Sequence, residues 1–345
     1  MSSKPQASRR LTRKPALWLS ALCLAALCFG PAAHARTVVK MATLAPEGSV
    51  WDRILREMGA DWQQDTSGEV RLRIYAGGVA GDESDIVRKM RVGQIHAAAF
   101  SVAGLSAIDR SFEVFEIPMF FESYDELYHV LETLRSDFAA RLDAKGYVLL
   151  HWGNGGWVHL FSKEPIVSVD DLRKQKLFAG AGNEGMIRMW RENGFQPVSL
   201  ATTDVLTSLQ TGMVQVIPTT PLAALSLQWF RQTPYMHDLG LAPLMGATVV
   251  SKRTWKRLEP ETQAAMKKAA MKAEKAFKTQ IPEQDAEAVD QMKGRGLNVS
   301  PVGDAERKAW DDAAKIFADF KRDNFEDKAF LDRVIEVRDA FRAGR

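Results

Sequence analysis

Tyr147-Val-Leu-Leu-His-Trp152, His159-Leu-Phe-Ser162 and Lys176-Leu-Phe-Ala179 follow one another within residues 147–179. Each is a short apolar run bounded by Gly, Ser, Lys or Pro, and each reads as a strand. Helical spacing follows around 184–193 and again around 203–211. The same alternation holds upstream. Thr37-Val-Val-Lys-Met41 is an opening strand, and Trp51, Ile54, Leu55, Met58 and Trp62 then fall on one helical face. Residues 70–75 alternate as a strand, a short helix runs from Asp82 to Gly93, and residues 95–100 form a further apolar strand. Leu127, Val130, Leu131, Leu134, Phe138 and Leu142 predict one continuous helix. Strand alternating with helix in this way predicts an α/β protein with mostly parallel sheets.

The last third changes character. From Pro260 to about Met292 nearly every residue favours helix, with Met266, Ala269, Ala273, Phe277 and Ile281 as an apolar stripe. Pro282 lacks an N–H and crowds the carbonyl four residues back, so a kink is expected there. A helix this long can strap across two lobes or lie along one domain, and periodicity does not choose. A final helical stretch runs from Asp304 towards the C-terminus.

The 345 residues suit two domains at roughly 100–200 residues each. With 46% hydrophobic and 26% charged residues, the composition is that of a globular chain. The formal charge of +3 owes most to the first 35 residues, where Lys4, Arg9, Arg10, Arg13 and Lys14 stand without an acid. The remainder is close to neutral, which removes the simplest argument for nucleic-acid binding. Residues 16–30 form an apolar run short of the roughly 20 residues that span a bilayer. Ala33-His-Ala35 then offers small residues for cleavage. Residues 1–35 read as a signal peptide, and the mature protein as periplasmic and not membrane-spanning. Cys23 and Cys28 leave with that segment, so no disulfide, zinc thiolate or cysteine nucleophile is expected.

No His-Glu-x-x-His, Gly-x-Ser-x-Gly or Gly-x-x-x-x-Gly-Lys segment is present. Gly77, Gly78 and Gly81 follow a strand and precede a helix, but their spacing fits neither a dinucleotide nor a phosphate loop. His151 and His159 fall on separate expected strands and read as structural histidines rather than a metal pair. Asp170-Asp171 reads as a helix cap rather than a catalytic dyad. These residues call for no metal, no cofactor and no enzymatic chemistry. Four of the nine tryptophans, Trp152, Trp157, Trp190 and Trp229, are concentrated in the middle of the chain. Trp152 and Trp157 flank Gly153-Asn-Gly-Gly156, read as a flexible turn. Aromatic faces beside such a turn at a strand's carboxyl end suit ligand capture. Core tryptophans beside a plain turn account for the same residues equally well.

Several segments together carry a resemblance. They are Ala45-Pro-Glu-Gly-Ser49, Gly77-Gly78 with Gly81-Asp-Glu83, Met90-Arg-Val-Gly93 and Phe115-Glu-Ile-Pro-Met-Phe-Phe121. Ser168-Val-Asp-Asp-Leu-Arg-Lys-Gln-Lys-Leu177, Thr203-Asp-Val-Leu-Thr-Ser-Leu-Gln-Thr-Gly212 and Thr220-Pro-Leu222 follow. In order and spacing the chain resembles the solute-binding proteins of TRAP (tripartite ATP-independent periplasmic) transporters, dicarboxylate-binding type, over essentially all of its length beyond residue 35. The resemblance implies a two-lobe periplasmic-binding-protein fold with hinge strands, a long C-terminal helix bridging the lobes, and closure on a solute. It implies a monomer that delivers its solute to the small and large membrane subunits of a TRAP permease, with no cofactor. The lobes are expected at 36–158 with 248–285 and at 159–247 with 286–345, crossing near Val158 and Val249. A ligand-presenting sensor and a secreted enzyme on the same scaffold are the alternatives.

The departures from the family pattern bear on the solute. The arginine that the family places after Lys-Leu to clamp a carboxylate is Phe178 here. A second arginine, of sialic-acid-type members, falls at Val158; the asparagine before Pro221 is Thr220; a pocket acid after the third strand is Ser101. Solute contacts are expected from Thr43, Glu47, Glu83 and Ser101 in the first lobe, and from Trp152, Asn154, Trp157 and Val158 at the hinge. Phe178, Ala181, Thr219 and Thr220 complete the set, with Arg188 as a substitute cation. The cleft is expected to be lined by Phe178, Trp152, Trp157 and Thr220 and to prefer a hydrophobic or aromatic solute, whose large apolar groups each gain about 1.5–3 kcal/mol on burial.

Overall fold

The structure, a computed structural model, describes residues 36–181 and 184–344. The expected signal segment, 1–35, lies outside the described residues. β1 (Thr37–Thr43) leads to α1 (Val50–Asp65), whose Ser49 cap accepts from the Asp52 N–H. Trp51, Ile54, Leu55, Met58 and Trp62 of α1 are all buried, as their spacing predicts. Next come β2 (Val70–Tyr75), α2 (Glu83–Arg91), β3 (Ala97–Ser101), α3 (Val102–Ser106) and a 3-10 segment at Arg110–Glu116. The helix expected over 127–142 is two helices, α4 (Tyr124–Thr133) and α5 (Arg135–Ala144), meeting at Leu134. The change of axis there brings Leu131 and Phe138 into one core, so the apolar period continues across a break that sequence spacing does not register.

The two strands expected around Gly153–Gly156 are one, β4 (Tyr147–Ser162), and no turn separates them. These glycines clear space instead. A Cβ on Gly155 would lie 2.7 Å from Leu244, and one on Gly156 (φ +110) would lie 2.7 Å from the Asp285 carboxylate. α6 (Val169–Arg173), β5 (Lys176–Gly180), α7 (Glu184–Glu192), β6 (Gln196–Leu200), α8 (Val205–Thr211), β7 (Val216–Thr219) and α9 (Pro221–Ser226) follow. α6 starts with a reciprocal Ser168–Asp171 capping box. Its hydrogen bonds from Ser168 pull the Asp171 carboxyl down to about 2. The chain continues through β8 (Tyr235–Ser251), α10 (Lys252–Trp255), α11 (Pro260–Lys293), β9 (Asn298–Ser300), α12 (Asp304–Asn324) and α13 (Lys328–Ala343).

The strands lie in the order β2-β1-β3-β8-β4-β7-β5-β6, with β9 beside β8. β1–β2, β1–β3, β5–β6, β5–β7 and β8–β9 are parallel. The antiparallel pairings, β3–β8, β4–β7 and β4–β8, all involve the two long strands. The result is a mixed α/β, two-lobe fold. β4 and β8 run through both halves: 246–250 of β8 pairs with β3, whereas 235–237 pairs with β9. The crossing in β8 thus falls before Gly246, upstream of the expected Val249, which is itself paired with Ala98. Side chains alternate between the faces, so each half has a core on either side: Val39 and Met41 against α1 and α11, Ala42 and Ala98 on the other face.

α11 runs through Pro282 as one helix. Met266, Ala269, Ala273, Phe277 and Ile281 join the first half's core, and Met292 joins a core of the second. It therefore bridges the lobes. α12 packs Trp310 and Phe317 into the second half. α13 departs from the expected division: it packs on α4, with Phe330, Leu331, Val334 and Val337 in the first half's core. The placement of 286–345 in one lobe therefore fails for this helix, whose apolar face completes a surface that α4 and α5 leave open. Among the described residues no helix is long and apolar enough to cross a membrane.

Candidate functional site

A cavity of about 1110 Å³ opens where the two halves meet. Thr43, Ser101, Gly180 and Thr219, the last residues of β1, β3, β5 and β7, all reach its wall. Ligands of open α/β sheets bind beyond such carboxyl ends. Of the residues singled out from sequence, Thr43, Glu83, Ser101, Asn154, Val158, Phe178, Ala181 and Thr219 line it.

Four do not. Glu47 is an exposed partner of Arg56, at 3.2 Å. Trp152 is buried in the first core, 5.6 Å edge-on from Phe138, because strand alternation points it away from the face that carries His151. Trp157 packs edge-on to Tyr124 at 5.1 Å, and its N–H donates to Asp285 at 2.9 Å. Thr220 is fully buried as the cap of α9, its hydroxyl donating to the Gly155 carbonyl at 2.8 Å. The expectation that Trp152, Trp157 and Thr220 line the cleft is corrected accordingly. Arg188, the substitute cation, is exposed and stands off the wall.

The wall is largely aromatic and aliphatic. Trp190 and Trp229 belong to it, and so do Phe277 of α11 and Phe317 and Phe320 of α12. No local motif marks those three phenylalanines; only the apolar stripes of their helices are visible in sequence.

Two polar clusters interrupt this surface. Glu83 accepts from the Ser101 N–H and hydroxyl at 2.6 Å each and from the Gly104 N–H at 2.8 Å. Burial pushes its carboxyl upward, and those bonds oppose the shift. The second cluster joins α12 to the 3-10 segment: Lys321 Nζ lies 2.9 Å from Glu113 and 3.1 Å from Glu116, and Arg110 Nε lies 2.8 Å from Glu113. Burial would raise the Glu113 carboxyl, but the Arg110 hydrogen bond and the Lys321 charge outweigh it and hold the group low. His151 and His159 share strand β4, and each sets Nδ1 against a backbone carbonyl. Among the described residues no group of His, Cys, Asp and Glu is placed to hold a metal ion.

Curated relatives are similar along much of the chain. The 2,3-diketo-L-gulonate-binding periplasmic protein of Escherichia coli is 25% identical over 73% of this chain and 76% of its own length. The sialic acid-binding periplasmic protein of Vibrio cholerae is 23% identical over 77% and 84%. Among solved structures, a TRAP periplasmic solute-binding protein from Haemophilus influenzae with bound L-gulonate superposes with a TM-score of 0.81. It is 19% identical, with 88% of this chain and all of that one covered. Another, from Pseudomonas putida with bound D-glucuronate, gives 0.78 at 22% identity, over 87% and 96%. The description of bacterial extracellular solute-binding protein, family 7, matches residues 41–323, and this chain is a member of that family of TRAP solute receptors.

Proposed function

We propose that this chain is a monomeric periplasmic receptor, exported by residues 1–35, that closes on a hydrophobic or aromatic organic solute and passes it to the small and large membrane subunits of a TRAP permease. The lobes that go with this reading are 36–158 with 248–285 and α13, and 159–247 with 286–324. The observation that carries the solute class is Phe178 on the cavity wall, where the family resemblance expects a carboxylate-binding arginine. The basic residues on the described wall, Arg110 and Lys321, already serve Glu113 and Glu116. A buried carboxylate without a partner costs several kcal/mol. Apolar groups set against Trp190, Phe317 and Phe320 would instead gain about 1.5–3 kcal/mol each.

A second reading, an aliphatic organic acid, is favoured by the acids bound in the similar structures, among them D-glucuronate and L-gulonate. Calorimetry on protein freed of co-purified solute separates the two. Its panel is aromatic hydrocarbons, phenols, aromatic acids, D-glucuronate, L-gulonate and succinate. Preference for the apolar compounds is the expected result. Submicromolar binding of an aliphatic acid, with no affinity for any apolar compound, establishes the second reading instead.

A further inference from the structure

A row of paired residues crosses the sheet from β1 to β4. Thr43 stands opposite Ala99, Ala99 opposite Thr248, and Thr248 opposite His151. Directly opposed residues share one face of a sheet, so these four side chains point the same way. All four line the cavity, and so do Trp51 and Leu55 of α1 and Phe277 of α11, the last stacked on His151 at 5.4 Å. Ala99 keeps the middle of the row low.

Two polar atoms in this niche have no hydrogen-bond partner among the described residues, His151 Nε2 and Thr248 Oγ1, each on a side chain that is 1% exposed. His151 Nδ1 lies 2.8 Å from the Trp152 carbonyl oxygen. A carbonyl only accepts, so Nδ1 carries the proton and Nε2 of the neutral ring presents a lone pair. Burial keeps the ring neutral, its pKa pushed down to about 4. An acceptor and a hydroxyl side by side are together answered by one group that both donates and accepts.

We propose that this niche is a hydroxyl-recognition subsite of the solute cavity, in which an alcohol or phenol donates to His151 Nε2 and accepts from the Thr248 hydroxyl. The inference rests on the cavity being the solute site and adds to that reading the group the solute must carry. A carboxylate has no proton to give Nε2, and a hydrocarbon satisfies neither atom. Sites built around a substrate hydroxyl reject the analogue lacking it strongly, because their own polar atoms are then left unpaired.

Para-ethylphenol and ethylbenzene differ by that one hydroxyl, and D-glucuronate carries hydroxyls on an acid. Each is titrated into the mature protein by calorimetry, and the His151 ring nitrogens are followed by NMR. Para-ethylphenol is expected to bind at least about tenfold more tightly than ethylbenzene and to move the Nε2 resonance, which ethylbenzene leaves in place. Thr248→Val and His151→Leu are each expected to remove that preference, bringing para-ethylphenol close to ethylbenzene in affinity. The NMR signal of the unmodified protein serves if His151→Leu does not fold. Equal affinity for the two ethyl compounds, or tight para-ethylphenol binding with an unmoved Nε2 signal (as when the niche holds only water), overturns the subsite and leaves the apolar reading standing. D-glucuronate binding with a moved Nε2 signal, and no affinity for either ethyl compound, keeps the subsite and removes the apolar reading. Absence of binding by both hydroxylated compounds overturns the subsite.

Discussion

At the scale of single residues, Phe178 is where the proposed solute preference is put to the test. Phe178 lies half-buried on β5, at the carboxyl end of a parallel strand, and faces the same space as Trp190 and Phe320. Phe178→Arg is expected to weaken an apolar solute by about 2 kcal/mol or more through lost packing and an unpaired buried charge, read by calorimetry. Glu83 makes a complementary case. Its carboxylate takes three donors from Ser101 and Gly104, and Glu83→Gln replaces one accepting oxygen with an amide NH2 that can only donate. The expected loss of folding free energy is about 1–3 kcal/mol in urea, because at least one buried N–H or O–H is left without an acceptor. That residue 178 reaches the cavity was readable from sequence because it sits on the strand that Lys176-Leu177 opens. The directions of Trp152 and Trp157 were not, because β4 shifts register between Asn154 and Trp157 and turns both rings towards the same core.

Where β4, α9 and α11 meet, one side chain holds the elements together. Asp285 of α11 accepts from Trp157 N–H on β4 and from Leu222 N–H at the start of α9, each at 2.9 Å. Burial pushes its carboxyl from 3.8 up to about 6 against the pull of those two bonds. The folded chain therefore holds this proton more tightly than the unfolded one. The resulting stability is full below pH 3.8 and is lost as pH rises through about 6. The difference in unfolding free energy between the native chain and Asp285→Asn should fall by about 2 kcal/mol from pH 4 to 7, measured in urea. Gly156→Ala should cost more than about 1 kcal/mol, since φ +110 strains any side chain and the new methyl meets Asp285. Most elements were legible from period alone: α1, α2, β5, α7 and α8 stand where their apolar spacing puts them. β8 was not, because its pairing with β3, β4 and β9 is long-range and its sequence, with Gly240, Pro243 and Gly246 inside, carries turn residues. Eight of the twelve expected site residues reach the cavity. The aromatic wall from α11 and α12 escaped notice because only the folded chain brings those helices to it.

At the scale of the molecule, the halves are tied by β4, β8, α11 and the passage from α12 to α13. Lys321 belongs to a helix seated in the second half, and its carboxylate partners to a segment seated in the first. Lys321→Met should lower the unfolding free energy by about 3 kcal/mol, since it strips a buried cation from Glu113. The seat of α13 has a further consequence. Its 16 residues come far after Phe138 in sequence, yet Phe330 closes edge-on against that ring at 5.0 Å. Synthesis therefore makes Phe138 well before Phe330. Until it arrives, the half that is synthesised first cannot finish packing, and a chain cut after Asp327 should expose Phe138 and remain protease-sensitive. The order of synthesis thus works as a timer: the first half keeps an open core until the later segment that fills it has been made.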